Sequence, residues 1–305
     1  METMRILAMQ IIRMFVLAGL GYLLFRGGKI SLEGGRALGN ILIYLVLPAV
    51  IINGFLVERT PEHVMGLLYS AGTAAVLLLV SILVSRAVFR KDAIAAFAGA
   101  FSNPGFFGIP LIIASLGQGA VFYAAGFIAF LNIGQWTYGV SIMTGQPVRE
   151  GFKPEKLIRA PFVIAVAIGL VLFAFGIRLP GIVTDTLSAV TALNTPLAMF
   201  TVGIYLAQTD ILRMVRKPSL YAVSGIRLIL VPLIALMLLS LLPSAWHDMK
   251  LVLLLVVSCP VGSNVAVYAQ LHGRDYAYAV ETVVISTLFS LVTIPAVAWL
   301  ATLIW

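Results

Sequence analysis

The sequence predicts an all-α protein of the lipid bilayer on three observations: 61% of its 305 residues are hydrophobic, only 10% are charged, and the apolar residues fall in long unbroken runs. A soluble domain is closer to half apolar and about a quarter charged. Lipid is therefore the solvent, and a mean hydropathy of +1.06 agrees. The runs do not alternate with a period of two, which argues against a β-barrel. At about 20 helical residues per crossing, ten spans use roughly 200 residues and leave only short connections, with no room for a soluble domain.

Charged and Gly/Pro-rich punctuation divides the chain into ten spans, near 6–25, 37–57, 64–88, 93–115, 119–144, 157–176, 185–208, 218–242, 249–271 and 276–304. Span 1 follows Met1 to Arg5 without a small-residue cleavage pattern and is expected to be a helix, not a leader. The longest connection, 145–156 with Pro147 and Pro154, lies midway. It separates a first five-helix repeat (1–144) from a second (157–305).

Charge sets the orientation. Fourteen of the basic residues fall in the connections after spans 1, 3, 5, 7 and 9, from Arg26 to Arg274, against Arg5, Arg59, Arg178 and Lys250 on the other side. Positive loops stay inside, so the connection between helices 5 and 6 is expected in the cytoplasm and both termini outside. After deduction of the six acids there, these connections carry the net +8 of the whole chain. The basic balance is thus a topology signal, and nucleic acid is not an expected partner. Because five is odd, the two halves must be inverted relative to each other, the arrangement of many transporters. Leu47-Pro48-Ala49 in span 2 matches Thr195-Pro196-Leu197-Ala198 in span 7.

Spans 4 and 9 hold the candidate site. Span 4 contains Ser102-Asn103-Pro104-Gly105-Phe106-Phe107-Gly108-Ile109-Pro110, and span 9 contains Cys259-Pro260-Val261-Gly262-Ser263-Asn264. Neither can be a regular helix. Proline removes a helical bond and clashes with the preceding turn, and freed backbone groups survive in a membrane only against protein or a cavity. A broken helix also exposes positive N-terminal and negative C-terminal poles, which suit an anion and a cation or donor hydrogen respectively. Asn103, Pro104, Gly105, Pro260, Gly262, Ser263 and Asn264 are therefore the expected substrate-binding residues. A kink that serves packing is the plainer reading of one break; matching breaks in both halves, each with an asparagine, favour a site.

Other polar residues are candidates for support or charge pairing. Arg227 lies deep in span 8 and is expected to pair with a substrate carboxylate or with Glu281, or to form a structural ion pair. Glu281 is expected to reach the cytoplasmic end of span 10. Asn132 and Gln135 with Trp136 in span 5, and Ser286 and Thr287 in span 10, follow the breaks at similar spacing, while Asn53 and Asn194 lie near Pro48 and Pro196. Packing of a polar stripe explains these equally well. His63, His247 and His272 are scattered near span ends, so no metal site is expected. No nucleophile–base pair or metal cluster lies at bilayer depth, so the chain does not read as an enzyme. The single cysteine, Cys259, forms no internal disulfide.

At Ser102 to Leu111, Pro260 to Asn264 with Ala269, Ser286-Thr287 and Ile294-Pro295, the sequence resembles the auxin efflux carrier family, in its bacterial type. The resemblance implies ten helices in the crossover fold shared with bile-acid symporters and sodium/proton antiporters. Helices 1, 2, 6 and 7 would be a scaffold, and helices 3–5 and 8–10 a moving transport domain. It further implies a homodimer in the bacterial inner membrane that carries a small organic anion, an auxin-like acid or a dicarboxylate such as malate or malonate, by elevator-type alternating access. A sodium-coupled symporter of the bile-acid type is the alternative, with a channel or a transporter-like sensor behind it. No cofactor is expected; coupling to sodium, to a proton or to membrane potential alone stays open, since no carboxylate adjoins either break. The central connection lacks the long regulatory segment of many plant carriers.

Overall fold

A computed structural model describes residues 2–148, 155 and 158–305. We number its main helices α1 (Glu2–Arg26), α2 (Leu32–Gly54), α3 (Pro61–Val88), α4 (Ala93–Ala100), α5 (Pro104–Leu116), α6 (Gln118–Thr144), α7 (Pro161–Phe175), α8 (Gly181–Ala207), α9 (Pro218–Ser240), α10 (His247–Ser258), α11 (Asn264–Leu271) and α12 (Tyr276–Ile304). Seven of them, α1, α2, α3, α6, α8, α9 and α12, are long and apolar enough to cross a membrane. Among the described residues there is no β-strand, only one isolated bridge. Most of the central connection, including Arg149, Glu150, Lys153, Pro154 and Lys156, lies outside the described residues.

Several boundaries differ from the sequence reading for local reasons. α2 begins at Leu32, not near 37, because the Ser31 hydroxyl accepts from the Gly34 N–H and caps the first turn. α3 begins at Pro61, where Thr60 caps through His63 N and proline's missing N–H costs nothing in a first turn. α8 begins at Gly181, directly after Pro180.

Four helices contain one turn widened to an i→i+5 bond: Leu47 N–H to Leu42, Ile109 to Pro104, Val140 to Gln135, and Val231 to Ile226. In three of them a proline follows at once, Pro48, Pro110 and Pro232. A proline has no N–H to return to the turn before it, and the wider turn accommodates its ring without ending the helix. Buried Gln135 and Arg227 lie in two of these turns, Pro104 and Gly105 in a third.

The helices pack in two groups. α1, α2, α7 and α8 form one group, α3, α4, α6, α9, α10, α11 and α12 form the other, and α5 lies between them against α1, α8 and α10. The α1–α8 contact needs glycine: a Cβ on Gly203 would stand 2.0 Å from the Ala18 carbonyl oxygen, and one on Gly21 would stand 2.6 Å from the Phe200 Cα. Close backbone approach through small residues is how helices associate when lipid removes the hydrophobic drive. The outer surface is apolar, with Leu68, Phe175, Ile182, Leu241 and Val292 well exposed, as a lipid-facing surface should be. α4 and α10 sit innermost; every residue of α4 from Ile94 to Ala100 and of α10 from Met249 to Ser258 is buried.

Candidate functional site

The two interrupted helices meet at their interruptions. α4 ends where Phe101 turns extended (φ −110°, ψ 114°), and α5 restarts at Pro104. Asn103 caps the new helix, its Oδ1 accepting from the Phe106 N–H at 3.3 Å. α10 ends at Ser258 with Cys259 extended before Pro260, as a residue preceding proline prefers, and α11 restarts at Asn264. Between these ends the two short extended segments run antiparallel, Ser102 opposite Val261. The Asn103 N–H donates to the Pro260 carbonyl and the Gly262 N–H to the Phe101 carbonyl, each at 2.9 Å. The Ser286 hydroxyl of α12 accepts from the Val261 N–H at 3.1 Å. Backbone groups freed by the breaks thus satisfy each other inside a helical protein. A Cβ at Gly262 would lie 2.8 Å from the Ser102 carbonyl oxygen, so the close approach of the two chains requires glycine.

A cavity of about 110 Å³ opens on the starting ends of α5 and α11. Ser102, Asn103, Pro104, Gly105, Gly262, Ser263 and Asn264 line one side, with Asn132 and Gln135 of α6; Ile43, Leu47 and Ile51 of α2 and Pro161 and Phe162 of α7 line the other. Among the described residues no charged side chain lines it. The Asn264 amide donates to the Gln135 Oε1 at 2.8 Å, which leaves Gln135 Nε2 buried without a partner among the described residues. The Ser102 hydroxyl is likewise buried and unpartnered. Asn132 turns its amide to the Ile128 carbonyl of its own helix at 2.8 Å. The pocket therefore offers neutral donors and the positive ends of two helices, a combination that suits an anion.

The other expected site residues divide. Pro260 contributes its carbonyl to the bridge but does not line the cavity. Asn194 of α8 reaches the first break, its amide donating to the Gly105 carbonyl at 3.2 Å. Ser286 holds the second break, whereas Thr287 and Asn53 lie outside the cavity wall. Arg227 meets neither Glu281 nor the cavity lining. Its Nη1 donates to the Gly99 and Ala100 carbonyls at 3.2 and 3.1 Å, and its Nη2 donates to Val257. The expected pairing with Glu281 is thus corrected: Glu281 takes Lys217 Nζ at 2.8 and 2.5 Å, at the start of α9. Two distant helix ends present more carbonyls to the guanidinium than any carboxylate within reach. Cys259 is fully buried and donates to the Leu255 carbonyl at 3.2 Å. The α2 and α7 wall residues carry no signal in the sequence beyond apolarity. A larger cleft of about 690 Å³ lies away from the crossing, lined by Arg86, Arg90, Lys91 and Arg274.

The family model described as "Membrane transport protein" matches the chain in two stretches, residues 6–155 and 150–298. The chain is also 26% identical over 304 residues to a protein of Rhizobium meliloti (strain 1021) described as "Putative malonate transporter", a match that covers 94% of this chain and 93% of that one.

Proposed function

The chain belongs to the membrane transport protein family, the auxin efflux carrier family whose motifs it carries, and on that premise we propose that it is a secondary transporter of small carboxylates that binds them at the crossing of its two broken helices. It is a transporter and not an enzyme. One observation carries the site: the cavity is bounded by two helix starts, three asparagines and two unpartnered donors, and no acid lines it among the described residues. Its volume holds roughly seven to eleven water-sized positions, which is the scale of a three- or four-carbon diacid. Malonate is the first substrate to try, given the name of the relative.

In this reading one carboxylate lies across the starts of α5 and α11, accepting from Gln135 Nε2 and the Ser102 hydroxyl, while the aliphatic wall of α2 and α7 covers the carbon chain. The ten-span, five-plus-five inverted arrangement is supported by the antiparallel meeting of the two breaks and by family matches that meet at the central connection. Packing of α1, α2, α7 and α8 among themselves supports their role as the scaffold against which the rest moves in an elevator step. Cytoplasmic placement of the basic connections, an inner-membrane location and a homodimer complete the proposal, the first on charge asymmetry and the last on family resemblance.

The test is uptake of labelled malonate by purified protein in liposomes. Saturable uptake with counterflow, lost in Asn103→Ala and Asn264→Ala while the protein stays folded, is the expected result. Non-saturating conductance without counterflow would identify a channel instead, and dependence on a sodium gradient would identify the bile-acid-type symporter.

A further inference from the structure

Breaking a helix creates negative ends as well as positive ones, and the two kinds of end are treated differently here. The carbonyl ends of α4 and α10 converge on Arg227, which has no exposed surface. Its guanidinium takes Gly99 and Ala100 from one helix and Val257 from the other. No carboxylate touches it among the described residues, since the ion pairs there are Arg213 with Asp210 and Lys217 with Glu281. Each helix end carries about half a negative charge, so two ends balance one guanidinium. An unmatched ion at this depth would be costly, and the two poles supply the match.

We propose that Arg227 is a built-in counter-cation: it fills the negative poles of the crossing that a soluble cation would otherwise occupy, and so leaves the cavity with an uncompensated positive face that selects organic anions. This rests on the transporter reading and deepens it. Arg227 is then a positioning and specificity-determining residue that acts through the backbone of both broken helices without touching the substrate. Two consequences follow. The native carrier needs no sodium at the crossing, and removal of the guanidinium both weakens the preference for anions and makes room for an added cation.

The experiment uses the full chain in proteoliposomes, with labelled malonate as substrate and malonamide, its neutral amide, as competitor. In the native protein, replacing sodium by choline on both sides is expected to change uptake by less than about twofold, a negligible free-energy difference. In Arg227→Gln, which keeps donors but no charge, the preference for malonate over malonamide should fall about tenfold or more, and sodium should now stimulate uptake. Should that variant not fold, Arg227→Ala is assayed with added methylguanidinium, which is expected to restore thermal stability and uptake in a saturable manner. A folded Arg227→Gln with native preference, a native protein that needs sodium, or an Arg227→Ala unresponsive to methylguanidinium would each overturn the proposal. Absence of carboxylate uptake by the native protein would instead remove the transporter reading beneath it.

Discussion

The two sides of the crossing are built from the same parts and finished in opposite ways. On the α4 and α10 side, two helices end in carbonyls, and three of those carbonyls are met by a buried guanidinium from α9, whose Nε, like the Ser258 hydroxyl, has no partner among the described residues. On the α5 and α11 side, two helices begin in N–H groups, and what meets them is a cavity, an asparagine cap and two side-chain groups without partners. The difference shows that a break in a membrane helix is not in itself a site. A pole becomes a site when the protein leaves it for something else to fill, and the unfilled poles here are positive.

If the crossing depends on backbone contact, the largest loss should come from Gly262→Ala. The new methyl would press on the Ser102 carbonyl oxygen at 2.8 Å, and the Gly262 N–H, bonded to Phe101, keeps the strands from separating. Overpacking of this kind costs about 1–3 kcal/mol, so a clear fall in thermal midpoint and near-complete loss of malonate uptake are expected. Native uptake would mean that the bridge between the breaks is dispensable.

Next come the open poles themselves. Gln135→Leu removes the acceptor of the Asn264 amide and the unpartnered Nε2 together. Losing the Nε2 donor to the substrate carboxylate costs about 1.5–3 kcal/mol, so KM for malonate should rise about tenfold or more, while the unmet Asn264 amide lowers the thermal midpoint without loss of the fold. A change in yield with KM unaltered would assign Gln135 to packing. Ser286→Ala should do less. It deletes two hydrogen bonds, one from the Val261 N–H and one to the Val283 carbonyl, so it should lower stability by about 1–3 kcal/mol with malonate uptake largely kept.

How much of this contrast the sequence discloses depends on distance along the chain. The breaks are local: Asn103-Pro104-Gly105 and Cys259-Pro260 state where a helix must stop, and the helices stop there. The prolines at 48, 110 and 232 are equally visible, yet a lone proline does not say whether the helix ends or widens by one residue; neighbouring packing decides. Partnerships across the fold are invisible in sequence. Arg227 reads as a charge in search of a carboxylate because its carbonyl partners, over a hundred positions away at Gly99 and Ala100, carry no side-chain signature. Asn264 and Gln135 are both conspicuous in the sequence as polar residues inside spans, but their bond to each other joins separate halves of the chain. Asn53, near Pro48 in sequence, and Thr287, at matching distance from its break, fall outside the cavity wall because position along a helix fixes height and not the direction a residue faces.

The smallest effect should come from Lys217, the cation at the N-cap of α9, and it bounds the comparison. Lys217 bonds Glu281 at 2.5 Å, with side chains 43% and 11% exposed, so the lysine is open to water while the carboxylate is largely covered. A pair open to water at one end, whose carboxylate can take up a proton when the lysine is removed, contributes about 1 kcal/mol and weakens with salt. Lys217→Met should therefore leave malonate KM and sodium independence unchanged and lower the thermal midpoint only slightly, an effect that shrinks further at high ionic strength. The same chain would then contain two cations ten residues apart, one inside α9 setting the field of the crossing and one at its N-cap merely tying α9 to α12. If Lys217→Met matched Arg227→Gln in its loss of anion preference, any positive charge on α9 would do, and the particular meeting of Arg227 with two helix ends would lose its claim on specificity.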